Sequence, residues 1–440
     1  MTDILLTEYH RTGNTEDALF AALRELDTHT VVQTVYPPDL TFYTLLSEKK
    51  QPGAATYEFR TLNRQTLRQA NAANVPFPVA KFTLTDRSSE LWQMMREIAG
   101  STKLMMSIPD KSRHTIYLGV SACGIPLLLA RAGIRTSGLS SPFRDIFLAS
   151  ELIADGETPE AEESAQADKN MAGSLTLIIR RAKGTGMVVG LYGPDGTEVG
   201  AKELDTLVRA LLPGGHVRTF DFTQGVQKIY LEYDNEADRL QATYGYPDRL
   251  VPGLVIRNSE SGVTSFGVQP VMRIDGTDSV IGVPAEYKHK HRGRITMTAV
   301  ADFARSSLMP AWESFASQLG GMAETYVTSR SLVNEEDRQR ARAAVEIVIS
   351  EAFRTLHANL PRLGLARIKK LKRKMLGTFD FDTPQTLFDI YLRFMMLDNL
   401  FDADDTACQD GKTTREALKA EIPKLITADC FSCGTEPKVS

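Results

Sequence analysis

Cysteine is scarce, with four in 440 residues. That is too few for a disulfide scaffold and suits a reducing compartment, so a cytoplasmic location is expected. Long apolar runs are missing too. Residues 125–132 (IPLLLARA) make up the apolar run nearest to a candidate span, far short of the roughly 20 residues a membrane helix needs. The opening MTDILLTEYHRTGN has no basic stretch followed by an apolar one, so neither a signal peptide nor a membrane partner is expected. Charge of one sign is not in excess: 51 Lys and Arg stand against 55 Asp and Glu, a net −4. A surface basic throughout is thereby excluded, and any face for a polyanion has to be local. Repeats at solenoid or propeller periods are absent. With 42% hydrophobic and 24% charged residues, collagen-like, wholly disordered and coiled-coil chains are excluded as well.

What is present reads as an α+β protein of several domains, since single cores rarely grow past roughly 250–300 residues. Residues 1–154 mix helix and strand signals. Residues 15–26 (TEDALFAALREL) predict a helix capped by Thr15, with Leu19, Ala22, Leu23 and Leu26 as its apolar stripe. Residues 55–62 alternate as a half-buried strand does, 81–85 predict another strand, and 88–99 a helix facing inward with Leu91, Met94, Met95 and Ile98. Residues 155–172 hold an acidic stretch (DGETPEAEESAQAD) with six acids and no base. Such a segment cannot repay its ordering entropy, and it predicts a solvated linker or long loop at a domain boundary. Residues 173–310 turn β-rich: 174–181 and 187–192 flank a Lys-Gly-Thr-Gly turn, and strands over 217–222, 228–233, 253–257 and 263–274 follow a helix over 203–212. Residues 311–440 predict helices, one of them capped by Asn334 and running to Asn359 behind Glu335, Glu336 and Asp337.

Several motifs approach a known chemistry and miss it. Residues 183–190 (KGTGMVVG) follow a strand as a phosphate loop does, but lack its spacing and lead into another strand instead of a helix N-terminus. Around Ser121 (GVSACG) the second glycine comes one position late for a nucleophile elbow, and Pro126 opposes the helix that should follow. Cys430 and Cys433 form a C-x-x-C pair with Cys408 upstream, one ligand short of the four that zinc takes, so no metal is assigned. Residues 402–405 (DADD) begin like a calcium loop but lack its sixth-position glycine and twelfth-position glutamate. With no catalytic spacing of His, Asp, Glu or Cys left, no catalytic residue and no cofactor are assigned, and a non-enzyme is the preferred reading.

Two basic clusters remain. Residues 288–294 (KHKHRGR) form a loop-like stretch with four permanent cations, Lys288, Lys290, Arg292 and Arg294, and two titratable histidines. Residues 362–374 (RLGLARIKKLKRK) carry seven bases and no acid on a predicted helix, with Ile368, Leu371 and Met375 as its apolar stripe. Dense cations on a packed element suit phosphate contacts, and Arg367, Lys370, Arg373 and Lys374 are the helix candidates beside the four of the loop. Neither cluster interleaves aromatics, so base stacking is not expected.

Residues 248–274 (DRLVPGLVIRNSESGVTSFGVQPVMRI) carry Pro252, Gly253, Asn258, Ser259, Glu260, Gly262 and Arg273. In that order they resemble the Pro-Gly, strand, Asn-Ser-(His or Glu)-x-Gly, strand and arginine of the phage/plasmid-like protein family, a domain of unknown function. The hairpin and helix upstream, and His291-Arg292-Gly293 downstream, are similar to that family as well, over about residues 173–301. The chain departs from the pattern at Arg273-Ile274-Asp275-Gly276, where the family has Cys-x-Asn-Gly after the arginine. The resemblance implies a mobile-element origin, and so the cytoplasm of a host cell. Together with the basic clusters it predicts a sequence-nonspecific nucleic-acid-binding protein that forms homo-oligomers. The competing expectation is a self-assembling virion or shell protein, for which the polar stretch 63–74 would serve as an arm.

Overall fold

A computed structural model describes residues 9–36, 40–61, 79–109, 115–121, 124–125, 174–182, 185–193, 196–223, 225–259, 265–400, 418 and 421–431. The chain opens with β1 (Arg11–Gly13) and α1 (Glu16–His29). Thr15 caps α1 by accepting the Ala18 amide at 3.3 Å, and the buried stripe is Leu19, Ala22, Leu23 and Leu26, as the spacing predicts. Next come β2 (Thr30–Val35), β3 (Thr41–Gln51), β4 (Ala54–Thr61), β5 (Val79–Leu84), α2 (Glu90–Gly100), β6 (Leu104–Pro109), β7 (Thr115–Val120), β8 (Leu175–Ala182) and β9 (Thr185–Tyr192). The eight strands β2 to β9 make one sheet, in the order β2-β8-β9-β7-β6-β3-β4-β5, antiparallel except where β7 meets β9.

Both faces of this sheet are covered. Leu104 and Met106 of β6 lie in one apolar cluster with Phe42, Leu118 and Leu177. Met105 points the other way, into a cluster with Tyr57, Phe59 and the inward side of α2, Met94, Met95 and Ile98. Ser121, at the end of β7, is fully buried and its hydroxyl accepts the Gly124 amide at 3.2 Å, a turn contact rather than a nucleophile's setting. Residues 182 and 185 pair across the β8–β9 connection, so the Lys-Gly-Thr-Gly stretch joins a hairpin.

The second sheet follows α3 (Ala201–Leu211). It contains β10 (His216–Phe222), β11 (Gln227–Glu232), β12 (Leu250–Asn258), β13 (Phe266–Ile274), β14 (Val280–Gly282) and β15 (Tyr287–His289), with α4 (Asp234–Tyr244) between β11 and β12. Its order is β1-β10-β11-β12-β13-β14, β15 also pairing with β13, and every pairing is antiparallel. Helices α5 (Met297–Phe303), α6 (Pro310–Glu324), α7 (Glu335–Asn359), α8 (Leu365–Leu376) and α9 (Leu387–Met395) follow, with short turns at Leu397–Leu400, Ile422–Thr427 and Asp429–Phe431 after them. One continuous apolar core joins Leu23 of α1, Leu207 of α3, Phe222, Leu254 and Met272 of the sheet, and Phe315, Phe353, Leu371 and Phe394 of the C-terminal helices. Asn334 caps α7 through the Asp337 amide at 2.9 Å.

The architecture is α+β. Among the described residues no helix is long and apolar enough to cross a membrane. The expected linker 155–172 and the polar stretch 63–74 lie outside the described residues. The strands do not divide at residue 173: β8 and β9 complete the first sheet, while β1 pairs with β10 in the second. Helix α4 had no sequence expectation. It buries only Ala237 and Leu240 and has no side-chain cap, so both of the usual helix signals are faint there.

Candidate nucleic-acid interface

The stretch 288–294 is more ordered than a loop. Its first residues form β15, in which Tyr287 faces Val268, Lys288 faces Gly267 and His289 faces Phe266. Successive strand side chains point to opposite faces, and the sequence Lys-His-Lys-His-Arg obeys that rule. Tyr287 and His289 are half-buried and His291 is buried, whereas Lys288, Lys290 and Arg292 are exposed, as is Arg294. His291 is therefore an inward-facing residue of the stretch: its ring lies 5.8 Å from that of Tyr192, and its Nδ1 is 3.2 Å from the Thr197 carbonyl oxygen.

Backbone contacts hold the stretch in place. The Thr197 amide donates to the His291 carbonyl at 2.9 Å, Gly196 bridges Arg292, and the Thr197 hydroxyl donates to the Gly293 carbonyl. His291 takes a positive φ of 53° and Gly293 one of 74°. The left-handed region is uncommon outside glycine, and here it lets the chain turn while His291 stays packed against Tyr192. Tyr192 in turn donates to the Ser259 carbonyl at 3.3 Å. Neighbouring Asn258 donates from Nδ2 to the Val199 carbonyl at 2.7 Å and to Gln227 Oε1 at 3.0 Å. Asn258, Ser259 and His291, three of the residues on which the family resemblance rests, thus share one buried polar cluster beneath the cations; Glu260 and Gly262 lie outside the described residues.

Strand register adds two residues that sequence reasoning missed. Lys228 of β11 faces Arg257 of β12, Arg257 faces Gly267 of β13, and Gly267 faces Lys288 of β15. Residues directly opposite one another share a face, with strands about 4.8 Å apart. A row of exposed cations, Lys228, Arg257 and Lys288, therefore crosses the sheet, with the buried Gly267 between Arg257 and Lys288. Lys290 and Arg292 extend it along the chain. Arg257, Lys288, Lys290, Arg292 and Arg294 have no carboxylate partner among the described residues. Glu286, whose Oε1 stands 3.5 Å from where a Gly267 Cβ would be, borders the row.

The other cations of this sheet are already neutralised. Arg273 meets the buried Glu232 with two hydrogen bonds of 2.5 and 3.1 Å. Arg249 touches Asp238 and Asp275, each at 3.0 Å, and Asp234 at 3.3 Å. Burial pushes the Asp275 carboxyl up, but hydrogen bonds from Arg249 and the Gly276 amide, with the charges of Arg249 and Arg273, outweigh it and hold the group below its usual range.

Helix α8 is the helix the sequence predicts, burying Leu371 and Met375 with Ile368 half-buried. Its cations are largely engaged. Lys372 pairs with Glu346 of α7 at 3.0 Å, Lys374 Nζ donates to the Leu400 carbonyl at 3.0 Å, and Arg367 and Lys370 also have partners; Arg373 is exposed. The helix rests on α7 and the turn at Leu397–Leu400, the stretch 288–294 on β13 and Thr197. The two clusters are thus carried by different elements.

Cys430 is half-buried in the turn Asp429–Phe431, while Cys408, Cys433 and residues 402–405 lie outside the described residues. Comparison of the chain with family models, with curated proteins and with solved structures finds no match.

Proposed function

We propose that this protein binds nucleic acid without enzymatic action and without reading sequence, gripping phosphates through a local basic surface, and that it derives from a phage or plasmid. The observation that carries the reading is the row set by register, Lys228–Arg257–Gly267–Lys288, continued by Lys290, Arg292 and Arg294. A cation committed to an internal carboxylate has little to gain from a phosphate; most of these have no such commitment, unlike Arg249 and Arg273. Helix α8 contributes Arg373 first, with Arg367, Lys370 and Lys374 exchanging their present partners. The absence of an aromatic side chain in the row favours backbone contacts over base stacking. Net charge −4 keeps the binding local and strongly dependent on salt.

Fluorescence anisotropy with single- and double-stranded DNA and RNA, taken through a salt series, tests this. Each neutralised phosphate contributes about 0.7–0.9 to the slope of log affinity against log salt. Replacing Lys288, Lys290, Arg292 and Arg294 by alanine should flatten the slope by about 3 and weaken all sequences alike. No binding at low salt, or an unchanged slope in the variant, overturns the assignment. Large particles sedimenting without nucleic acid would point instead to a self-assembling protein.

A further inference from the structure

A cleft of about 410 Å³ lies on the first sheet, lined by Lys50, Gln51 and Ala54 of the β3–β4 hairpin and by Arg87, Trp92, Gln93 and Arg96 at α2. That volume falls within the roughly 300–1,000 Å³ of small-ligand sites. Its position follows from local sequence. Met94, Met95 and Ile98 turn one side of α2 into the core, which leaves Trp92 and Arg96, four residues apart, together on the flank facing the hairpin. Trp92 packs against the apolar cluster and also lines the cleft. The Arg87 guanidinium stands 5.8 Å from the Trp92 ring centroid, near the outer limit of a cation–π contact. Arg87 and Arg96 are exposed and have no ion-pair partner among the described residues, whereas Lys50 is held by Glu48 at 3.2 Å. Gln93 also lines the cleft, and its Oε1 is buried with no hydrogen-bond partner among the described residues.

A flat ring surface and two guanidinium groups without an ion-pair partner match one class of ligand. We propose that this cleft binds a nucleotide: the base stacks on Trp92, and the phosphate lies on Arg87 and Arg96. The cleft supplies the aromatic platform that the row on the second sheet lacks. Its claim does not depend on that row, since the two sites share no residue. The ligand's chemistry has two sources, a free nucleotide or the 5′-phosphorylated end of a single strand.

The protein has two tryptophans, and Trp312 is buried, so Trp312→Phe leaves Trp92 as the single indole reporter. Titrated with adenosine 5′-monophosphate, this protein should show saturable quenching. Adenosine and ribose 5-phosphate, each lacking one half of the ligand, should bind at least about tenfold more weakly. Arg87→Ala with Arg96→Ala should weaken the nucleotide by about tenfold or more. Equilibrium dialysis of the unsubstituted protein against labelled nucleotide reads the same affinity if Trp312→Phe does not fold. A decamer with a 5′-phosphate, compared with one lacking it, separates the sources: preference for the phosphorylated end over the free nucleotide assigns a strand terminus, and the reverse assigns the free nucleotide. No binding of any of these up to about 10 mM, or affinity unchanged in the double variant, overturns the proposal. The Lys288, Lys290, Arg292 and Arg294 variant should keep its nucleotide response even where it loses the salt slope, so failure at one site is distinguishable from failure at the other.

Discussion

At the scale of single residues, commitment separates one arginine from another. Arg257 and Arg249 both belong to the second sheet's surroundings, yet Arg249 is encircled by Asp234, Asp238 and Asp275 while Arg257 stands between Lys228 and Gly267. Arg257→Ala should therefore weaken nucleic-acid binding uniformly and lower the salt slope by about 1, and Arg249→Ala should leave the slope alone; equal effects in the anisotropy series would count against the row. The acids around Arg249 carry a second expectation. Asp275 titrates below its unfolded value of 3.8 in the folded protein, so its contribution to stability is complete above that value and is lost as pH falls through the lower, folded one. Urea midpoints measured from about pH 5 to pH 2 should fall less steeply in Asp275→Asn than in the unsubstituted protein. Part of this residue-level picture was legible beforehand. The cations of 288–294 are evident as composition, and their alternation with histidine carries a strand's period of two, which reading the stretch as a loop overlooked. Lys228 and Arg257 carry no such mark, because only strand register places residues 60 positions apart in one row.

Elements announce themselves when an apolar stripe coincides with a cap. α1, α2 and α7 each begin on a side chain that accepts a backbone amide, from Thr15, Ser89 and Asn334, and each was legible from the sequence. α4 lacks a side-chain cap at its N-terminus and nearly lacks the stripe, with only the left-handed Gly245 closing its end, so much of its helicity comes from what it packs against. Glycine shows the same dependence on context. Gly320 lies within α6, where alanine would ordinarily favour the helix by about 1 kcal/mol. A Cβ there would press on the Tyr244 carbonyl oxygen at the end of α4, closer than real Cβ contacts come. Overpacking of that kind costs about 1–3 kcal/mol, so Gly320→Ala should lower the urea midpoint despite its helix propensity. Gly100, at the end of α2, has open space around the same position, and Gly100→Ala should be neutral or slightly stabilising. A midpoint unchanged by Gly320→Ala would mean that α4 and α6 are free to separate.

For the whole molecule, the composition break at 155–172 suggests two bodies on a string, while the strand pairing ties them together. β1 and α1, from the first 29 residues, belong to the second sheet and its core; β8 and β9, from beyond the break, belong to the first sheet. Arg180 of β8 is buried and reaches back to the Leu26 carbonyl and the Thr30 hydroxyl, where α1 passes into β2. Local periodicity reports which segments are strands and is silent on which sheet each one joins. The physical consequence can be sized. Fully burying a leucine is worth about 1.5–3 kcal/mol, and Leu19, Leu23 and Leu26 together therefore supply on the order of 5–9 kcal/mol, comparable to the roughly 5–15 kcal/mol of net stability typical of a folded protein. A fragment of residues 174–440 loses these three side chains from its core and leaves β8 and β9 without β2 and β7. Expressed alone, it should show no cooperative urea transition and should be digested by protease far faster than the full chain; coexpression with residues 1–154 should restore both. A sharp transition in the isolated fragment would establish instead that the second sheet and its helices fold without α1, and that the exchange of strands is an embrace between two finished domains.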